Sequence, residues 1–203
     1  MIGVVNYGVG NIRNVEKALQ AVGADVCVTA DPGELGDCAG LVLPGVGAFG
    51  DAMQRLRESG LDDVVVRAAA DGTPLVGLCV GLQMLFDEGT EFGRHTGLGL
   101  LPGRVVRFPE ESGVVPHVGW NRVRPVREHP LFAGIEPGDF FYFVHSYYVE
   151  PGDAADVLAT TDYGIEYASV CARANVMGAQ FHPEKSQRAG LRLLENFVGM
   201  AGK

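Results

Sequence analysis

Between Met1 and Leu82 the sequence alternates short apolar runs with stretches of helical period, and this alternation narrows the available folds more than any other feature. Ile2 to Val5 is a β run. After the Gly8-Val9-Gly10 turn, Ile12, Val15, Leu19 and Val22 recur at helical spacing, and Gly23 stops the helix. Asp25 to Thr29 forms a second strand, and Gly40 to Leu43 a third that enters the loop Pro44-Gly45-Val46-Gly47. A helix over Ala48 to Glu58 ends near Gly60, and another covers Leu61 to Ala70. Thr73 to Leu78 is the next strand, running into Cys79 and a helix-like stretch, Leu82 to Phe86. Strands separated by helices pair most readily in parallel, because a parallel neighbour needs a crossover connection. The pattern predicts an α/β fold.

From about Leu100 to Gln180 helical periodicity fades and Val, Phe and Tyr accumulate. The runs Arg104–Phe108, Asn121–Val126, Phe140–Tyr148, Val157–Thr161 and Val176–Phe181 predict a meander or a mixed extension of the sheet. Leu191, Leu194, Phe197 and Val198 then share one face of a closing helix. With no internal repeat or linker, all 203 residues are expected to form a single domain, a length that can bury a sizeable core.

Charge excludes some partners. A net charge of −9 argues against nucleic acid, which needs a clustered basic footprint. The nearest cluster, Arg122, Arg124 and Arg127, fits a solvated strand face. No stretch reaches the ~18 apolar residues of a membrane span, and the start lacks a basic, cleavable leader, so a cytoplasmic location is expected. The cysteines Cys27, Cys38, Cys79 and Cys171 lie far apart, without CxxC or Cys/His ligand spacing, so neither a disulfide scaffold nor a metal site is expected.

Cys79 stands apart from the other three. It sits in Gly77-Leu78-Cys79-Val80-Gly81, in the context strand, sharp turn, helix. A G-x-nucleophile-x-G elbow needs glycine on both sides because larger side chains would collide with the neighbouring strand or helix. The thiol then lies at the positive end of a helix, and the Val80 N–H points to where an oxyanion would form. A packed cysteine between close-packing glycines is the competing reading. Among the histidines, His182 stands out in Gln180-Phe181-His182-Pro183-Glu184. Pro183 biases His182 toward extended backbone, which puts 182 and 184 on one side. Glu184 can then orient one ring nitrogen while the other serves Cys79. For the pair alone, a solvated surface loop is the better reading, and the two motifs together favour a Cys-His-Glu triad. The Val46–Gly47 loop follows a strand and offers free amides for an oxyanion hole. It lacks the spacing of a nucleotide-binding loop. Gly8-Val9-Gly10-Asn11 likewise reads as a turn or contact surface.

These residues resemble a known family. Pro44-Gly45-Val46-Gly47, Gly77 to Gln83 and Gln180 to Glu184 are similar to the three signatures of class I glutamine amidotransferases. Asn6 to Asn11, Pro116 to Asn121, Tyr142 to Tyr147 and Glu184-Lys185-Ser186 further resemble the glutaminase subunits of imidazole glycerol phosphate synthase, in histidine biosynthesis. The resemblance covers essentially the whole chain. It implies a three-layer, flavodoxin-like fold with a mixed, mostly parallel sheet flanked by helices. It also implies hydrolysis of L-glutamine to glutamate and ammonia without a cofactor. Cys79 would be the nucleophile, His182 the base and acid, and Glu184 the orienting carboxylate. Gln83, Glu91 and the backbone of His145, Ser146 and Tyr147 would hold glutamine. The implied partner is a (β/α)8-barrel cyclase, met by Asn11, Trp120, Asn121 and Lys185, although a core role for Trp120 is nearly as well supported. Another ammonia acceptor, a standalone cysteine hydrolase, and a non-catalytic subunit on the same scaffold are the competing functions.

Overall fold

The computed structural model describes residues 1–202. Its strands are β1 (Ile2–Val5), β2 (Val26–Thr29), β3 (Gly40–Gly45), β4 (Leu75–Cys79), β5 (Phe86–Gly89), β6 (His95–Thr96) and β7 (Leu101–Arg107). They continue as β8 (His117–Arg122), β9 (Arg124–Pro125), β10 (Phe140–His145), β11 (Tyr147–Pro151), β12 (Val157–Asp162), β13 (Glu166–Arg173) and β14 (Val176–Ala179). The helices are α1 (Ile12–Ala21), α2 (Pro32–Gly36), α3 (Phe49–Glu58), α4 (Leu61–Ala70), α5 (Val80–Met84) and α6 (Gln187–Met200). The main sheet runs β2-β1-β3-β4-β14-β13-β11-β7-β5-β6, with β12 on β13 and β9 on β12. The β2-β1-β3-β4-β14 half is parallel throughout. Beyond β14 most pairings are antiparallel.

Both faces of the parallel half are covered, and strand alternation divides its side chains between two cores. Val4, Val42 and Val76 pack with Val15 and Leu19 of α1 and with Leu193, Leu194 and Phe197 of α6. Their neighbours Val5, Leu41, Leu43 and Leu75 pack on the other face with Phe49, Met53 and Leu56 of α3 and Leu61 and Val65 of α4. Strands buried on both faces read as the continuous apolar runs of the sequence. The architecture is α/β with a mixed central sheet, as expected.

Several local expectations shift. The helix expected over Leu82–Phe86 lies at Val80–Met84, and Phe86 opens β5 instead. Amides of Leu98, Leu100 and Leu101 take up the carbonyls of Met84 and Leu85 and end the helix. The run Phe140–Tyr148 breaks at Ser146 into β10 and β11, which belong to different sheets. β8 and β10 form a separate antiparallel ribbon, so this part does not extend the main sheet. Strand β13 and helix α2 were not expected at all. Helix α2 is capped by Asp31, whose side chain accepts from Gly33 N and Glu34 N at 2.8 and 3.0 Å.

Candidate active site

Strands β3, β4 and β14 end side by side: Gly45 lies opposite Cys79, and Leu78 opposite Ala179. In parallel sheets ligands bind beyond the carboxyl ends of the strands. Cys79 makes the turn from β4 into α5 with φ 56° and ψ −113°, a conformation an L residue rarely holds. Its neighbours explain the glycines. A Cβ on Gly77 would stand 2.5 Å from the Gly81 carbonyl oxygen, and one on Gly45 would stand 2.6 Å from the Gly81 nitrogen. A Cβ on Gly81 would overlap the Leu43 carbonyl oxygen. The elbow and the end of β3 are therefore in backbone-to-backbone contact, and this fixes the position of Cys79.

His182 and Glu184 follow β14. The backbone of His182 is extended (φ −98°, ψ 96°), but Pro183–Lys185 turns into a 3-10 segment. The pair therefore meets across a turn and not along a strand, because Pro183 sets the first turn residue and Lys185 N bonds back to His182 O at 3.0 Å. Nδ1 of His182 donates to Oε1 of Glu184 at 2.9 Å, and the Asn11 amide donates to the same oxygen at 3.2 Å. Ser186 Oγ donates to His182 O and accepts from Tyr142 N at 3.0 Å, which ties the turn to β10. Both triad side chains are almost completely buried, at 4% and 1% exposure. Among the described residues, His182 Nε2 and Glu184 Oε2 have no hydrogen-bond partner. Burial by itself would lower the His182 imidazole. The nearby Cys79 sulfur and the Glu184 carboxylate outweigh it and push the imidazole up to about 9. Burial raises the Glu184 carboxyl, but the hydrogen bond and charge of His182 more than reverse this and hold it below its ordinary value.

A cavity of about 270 Å³ opens over this group. Its lining brings together Val46, Gly47, Cys79, Val80, Gln83, Glu91, His145, Ser146, Tyr147 and His182, together with Pro116 and Val144, which sequence reasoning did not single out. The volume suits an amino acid better than a drug-sized ligand. Glu91 reaches the cavity while its Oε2 accepts from the Phe49 amide at 2.8 Å, capping α3. Gln83 Nε2 donates to the Tyr147 carbonyl at 3.0 Å, and the Ser146 carbonyl accepts from Phe108 N at 3.1 Å. Tyr7 OH donates to the Pro44 carbonyl at 2.7 Å and steadies the loop that carries Val46 and Gly47. Gly47 has φ 89°, a conformation open to glycine. Among the described residues no group of three His, Cys, Asp or Glu side chains could hold a metal ion.

The residues expected at a partner face separate into two kinds. Trp120 is 46% exposed on the outer face of the β8–β10 ribbon, edge-on to Tyr142, so it is not a core residue of this chain. Lys185 Nζ lies 5.6 Å from the centre of the Tyr142 ring. Asn11 and Asn121 instead spend their amides within the chain, Asn11 on Glu184 and Asn121 on His117 and the Asp162 carbonyl. Sequence reasoning did not connect Asn11 to Glu184, and the 173-residue separation gave no signal for it. No helix of the described residues is long and apolar enough to cross a membrane.

Residues 3–200 match the family model for class-I glutamine amidotransferases. The imidazole glycerol phosphate synthase subunit HisH of Geobacillus thermodenitrificans is 52% identical, over 98% of this chain and 96% of its own length. The subunit of the same name from Syntrophotalea carbinolica is 50% identical, over 98% and 100%. In fold, the chain superposes on a crystal structure of a glutamine amidotransferase with a TM-score of 0.79 at 22% identity, covering 100% and 99% of the two chains. With the cysteine elbow, the buried His-Glu pair and the cavity in place, these likenesses lead to one conclusion: the chain belongs to the class-I glutamine amidotransferases and, among them, to the HisH subunits of imidazole glycerol phosphate synthase.

Proposed function

We propose that the chain hydrolyses L-glutamine through a thioester on Cys79 and passes the ammonia to a cyclase subunit of (β/α)8-barrel fold. The observation that carries this reading is the state of His182. Its Nδ1 is committed to Glu184, while its Nε2 is buried, has no partner among the described residues and shares the cavity wall with Cys79. With its imidazole pushed up to about 9, His182 carries at neutral pH the proton that a departing nitrogen needs.

Cys79 thiolate attacks the carboxamide carbon. The resulting oxyanion lies between the Val80 amide and the Val46–Gly47 loop. His182 donates its Nε2 proton to the leaving nitrogen, ammonia departs, and the γ-glutamyl thioester remains. A water then adds to the thioester carbon, giving its proton to His182, and glutamate leaves as the thiolate reforms. Gln83, Glu91 and the segment His145–Tyr147 are proposed to hold the amino-acid end of glutamine, because they line the same cavity as Cys79 and His182. Asn11, Trp120, Asn121 and Lys185 are proposed to lie at the partner face.

The relatives' name makes them subunits of a synthase, which supports a cyclase partner. Ammonia protonates in bulk water, so delivery within a complex is chemically sensible. Four free thiols suit the reducing cytoplasm as the proposed setting. We read residues 1–203 as one domain, because the two cores share one sheet.

Cys79→Ala should abolish glutamine hydrolysis in the reconstituted synthase and leave ammonia-dependent cyclase activity intact. Retained glutamine hydrolysis by that variant would overturn the mechanism.

A further inference from the structure

We propose that Gln180 is a positioning residue for Cys79, its side-chain amide N–H holding the sulfur from outside the cavity lining; this rests on Cys79 being the nucleophile. Gln180 is fully buried directly after β14, with its backbone N–H donating to the Ser169 carbonyl at 2.9 Å. Its side chain has two partners: Oε1 accepts from Gln83 Nε2 at 3.1 Å, and Nε2 donates to Cys79 Sγ at 3.9 Å. Gln180 does not line the cavity, so substrate binding does not account for a buried amide whose desolvation must be offset by hydrogen bonds.

The direction of this amide is dictated by backbone groups, which removes the usual ambiguity between its oxygen and nitrogen. The Tyr147 carbonyl can only accept, so the Gln83 group facing it at 3.0 Å is the NH2. That NH2 also faces Gln180, so the Gln180 atom there is the oxygen and its nitrogen faces sulfur. The same carbonyl accepts from His145 Nδ1 at 2.8 Å, which leaves His145 Nε2 to accept from His117 Nδ1 at 3.2 Å. His117 Nε2 then accepts from the Asn121 amide at 3.3 Å. Asn121 is oriented independently, because its Nδ2 donates to the Asp162 carbonyl and its Oδ1 accepts from Arg122 N, both at 2.8 Å. The Tyr147 and Asp162 carbonyls, at the two ends of this hydrogen-bonded series, thus require the same tautomers. Burial keeps both imidazoles neutral, lowering His117 to about 4 and His145 to about 3.

A thiolate accepts a hydrogen bond more strongly than a thiol or a thioester sulfur does. The Gln180 amide therefore favours the ionised nucleophile and fixes its direction of approach. Losing the donor should lower kcat and leave KM nearly unchanged. In the reconstituted synthase, Gln180→Met, which keeps length without a donor, should lower glutaminase kcat about tenfold, the effect of one charge-assisted hydrogen bond. Gln180→Glu keeps the shape but sets a carboxylate against the sulfur, and should lower kcat further. Alkylation of Cys79 by iodoacetamide at pH 7 should slow in the same order. The deficit of Gln180→Glu should shrink as pH falls, because a protonated carboxyl donates again, and a purely packing role would not produce this trend. Wild-type kcat and alkylation rates in both variants, or a raised KM at unchanged kcat, would overturn the proposal. Cys79→Ala run alongside separates the two failures: its retained activity would sink the nucleophile assignment, and its inactivity beside wild-type-like Gln180 variants would sink this inference alone.

Discussion

His182 is almost fully buried and yet holds its proton more tightly than a free histidine does, and the two facts together make the site sensitive to pH. A group whose folded value is raised adds stability that is complete below its ordinary value and is lost as pH climbs through the folded one. For His182 this stability is whole below 6.5 and disappears as pH rises through about 9. The shift corresponds to as much as about 3 kcal/mol. Urea midpoints at pH 6, 8 and 10 should therefore fall more steeply for the natural protein than for His182→Gln. Glu184→Gln should fall between them, because it removes one of the two groups that hold the proton. Parallel curves for all three would show that His182 is not proton-linked to folding.

The elbow binds three elements together through backbone contact, and the glycines of the elbow and of the neighbouring Val46–Gly47 loop differ sharply in what they tolerate. Gly81→Ala would drive a methyl into the Leu43 carbonyl, which only a shift of β3 against α5 can relieve. It should cost about 3 kcal/mol or more and abolish activity. Gly47→Ala meets nothing within 4 Å and suffers only from its φ of 89°. It should cost about 1 kcal/mol and leave a folded protein. Denaturant unfolding of the two variants checks the order, and equal costs would refute the close-packing account. This element was legible from sequence because G-x-C-x-G encodes its constraint locally, in five consecutive residues. The parallel strands β1, β3 and β4 were legible for a similar reason, being uninterrupted apolar runs. Strand β13 was not, since its buried run from Tyr167 to Ala172 carries Ala168, Ser169 and Ala172 where β1, β3 and β4 carry mostly branched apolar side chains. The start of β5 was misread as helix because the contacts that stop α5 come from residues 98–101, which no local pattern announces.

Across the whole molecule, the site's parts come from segments far apart in sequence that meet only because β3, β4 and β14 lie side by side. Cys79, His182 and Glu184 could be named from sequence because each motif is short, whereas the Gln180–Cys79 contact spans 101 residues and depended on that strand order. The same long-range assembly sets the position of the proposed partner face. In the β8–β10 ribbon, Phe141, Phe143, His117 and His145 point inward, while Val118, Trp120, Phe140 and Val144 stand exposed. Register pairs Val118 with Val144 and Trp120 with Tyr142, so these side chains form one apolar surface. Val144 also lines the cavity, as does the half-exposed Val46, so a protein seated there would cover the cavity on that side. Exposed apolar surface beside a reactive cavity is costly to leave in water, and a tryptophan at its centre is the residue type that concentrates binding energy. Trp120→Ala should weaken association with the cyclase at least about tenfold by calorimetric titration. Trp120 is half-exposed in the free subunit and packs edge-on against Tyr142, so the thermal midpoint of that subunit should fall only modestly. Glutamine-dependent synthase turnover should fall at limiting cyclase and return at saturating cyclase, because the variant loses affinity and keeps its chemistry. An unchanged Kd would place the partner elsewhere, and turnover that stays low at saturation would mean that Trp120 acts on the catalytic group itself.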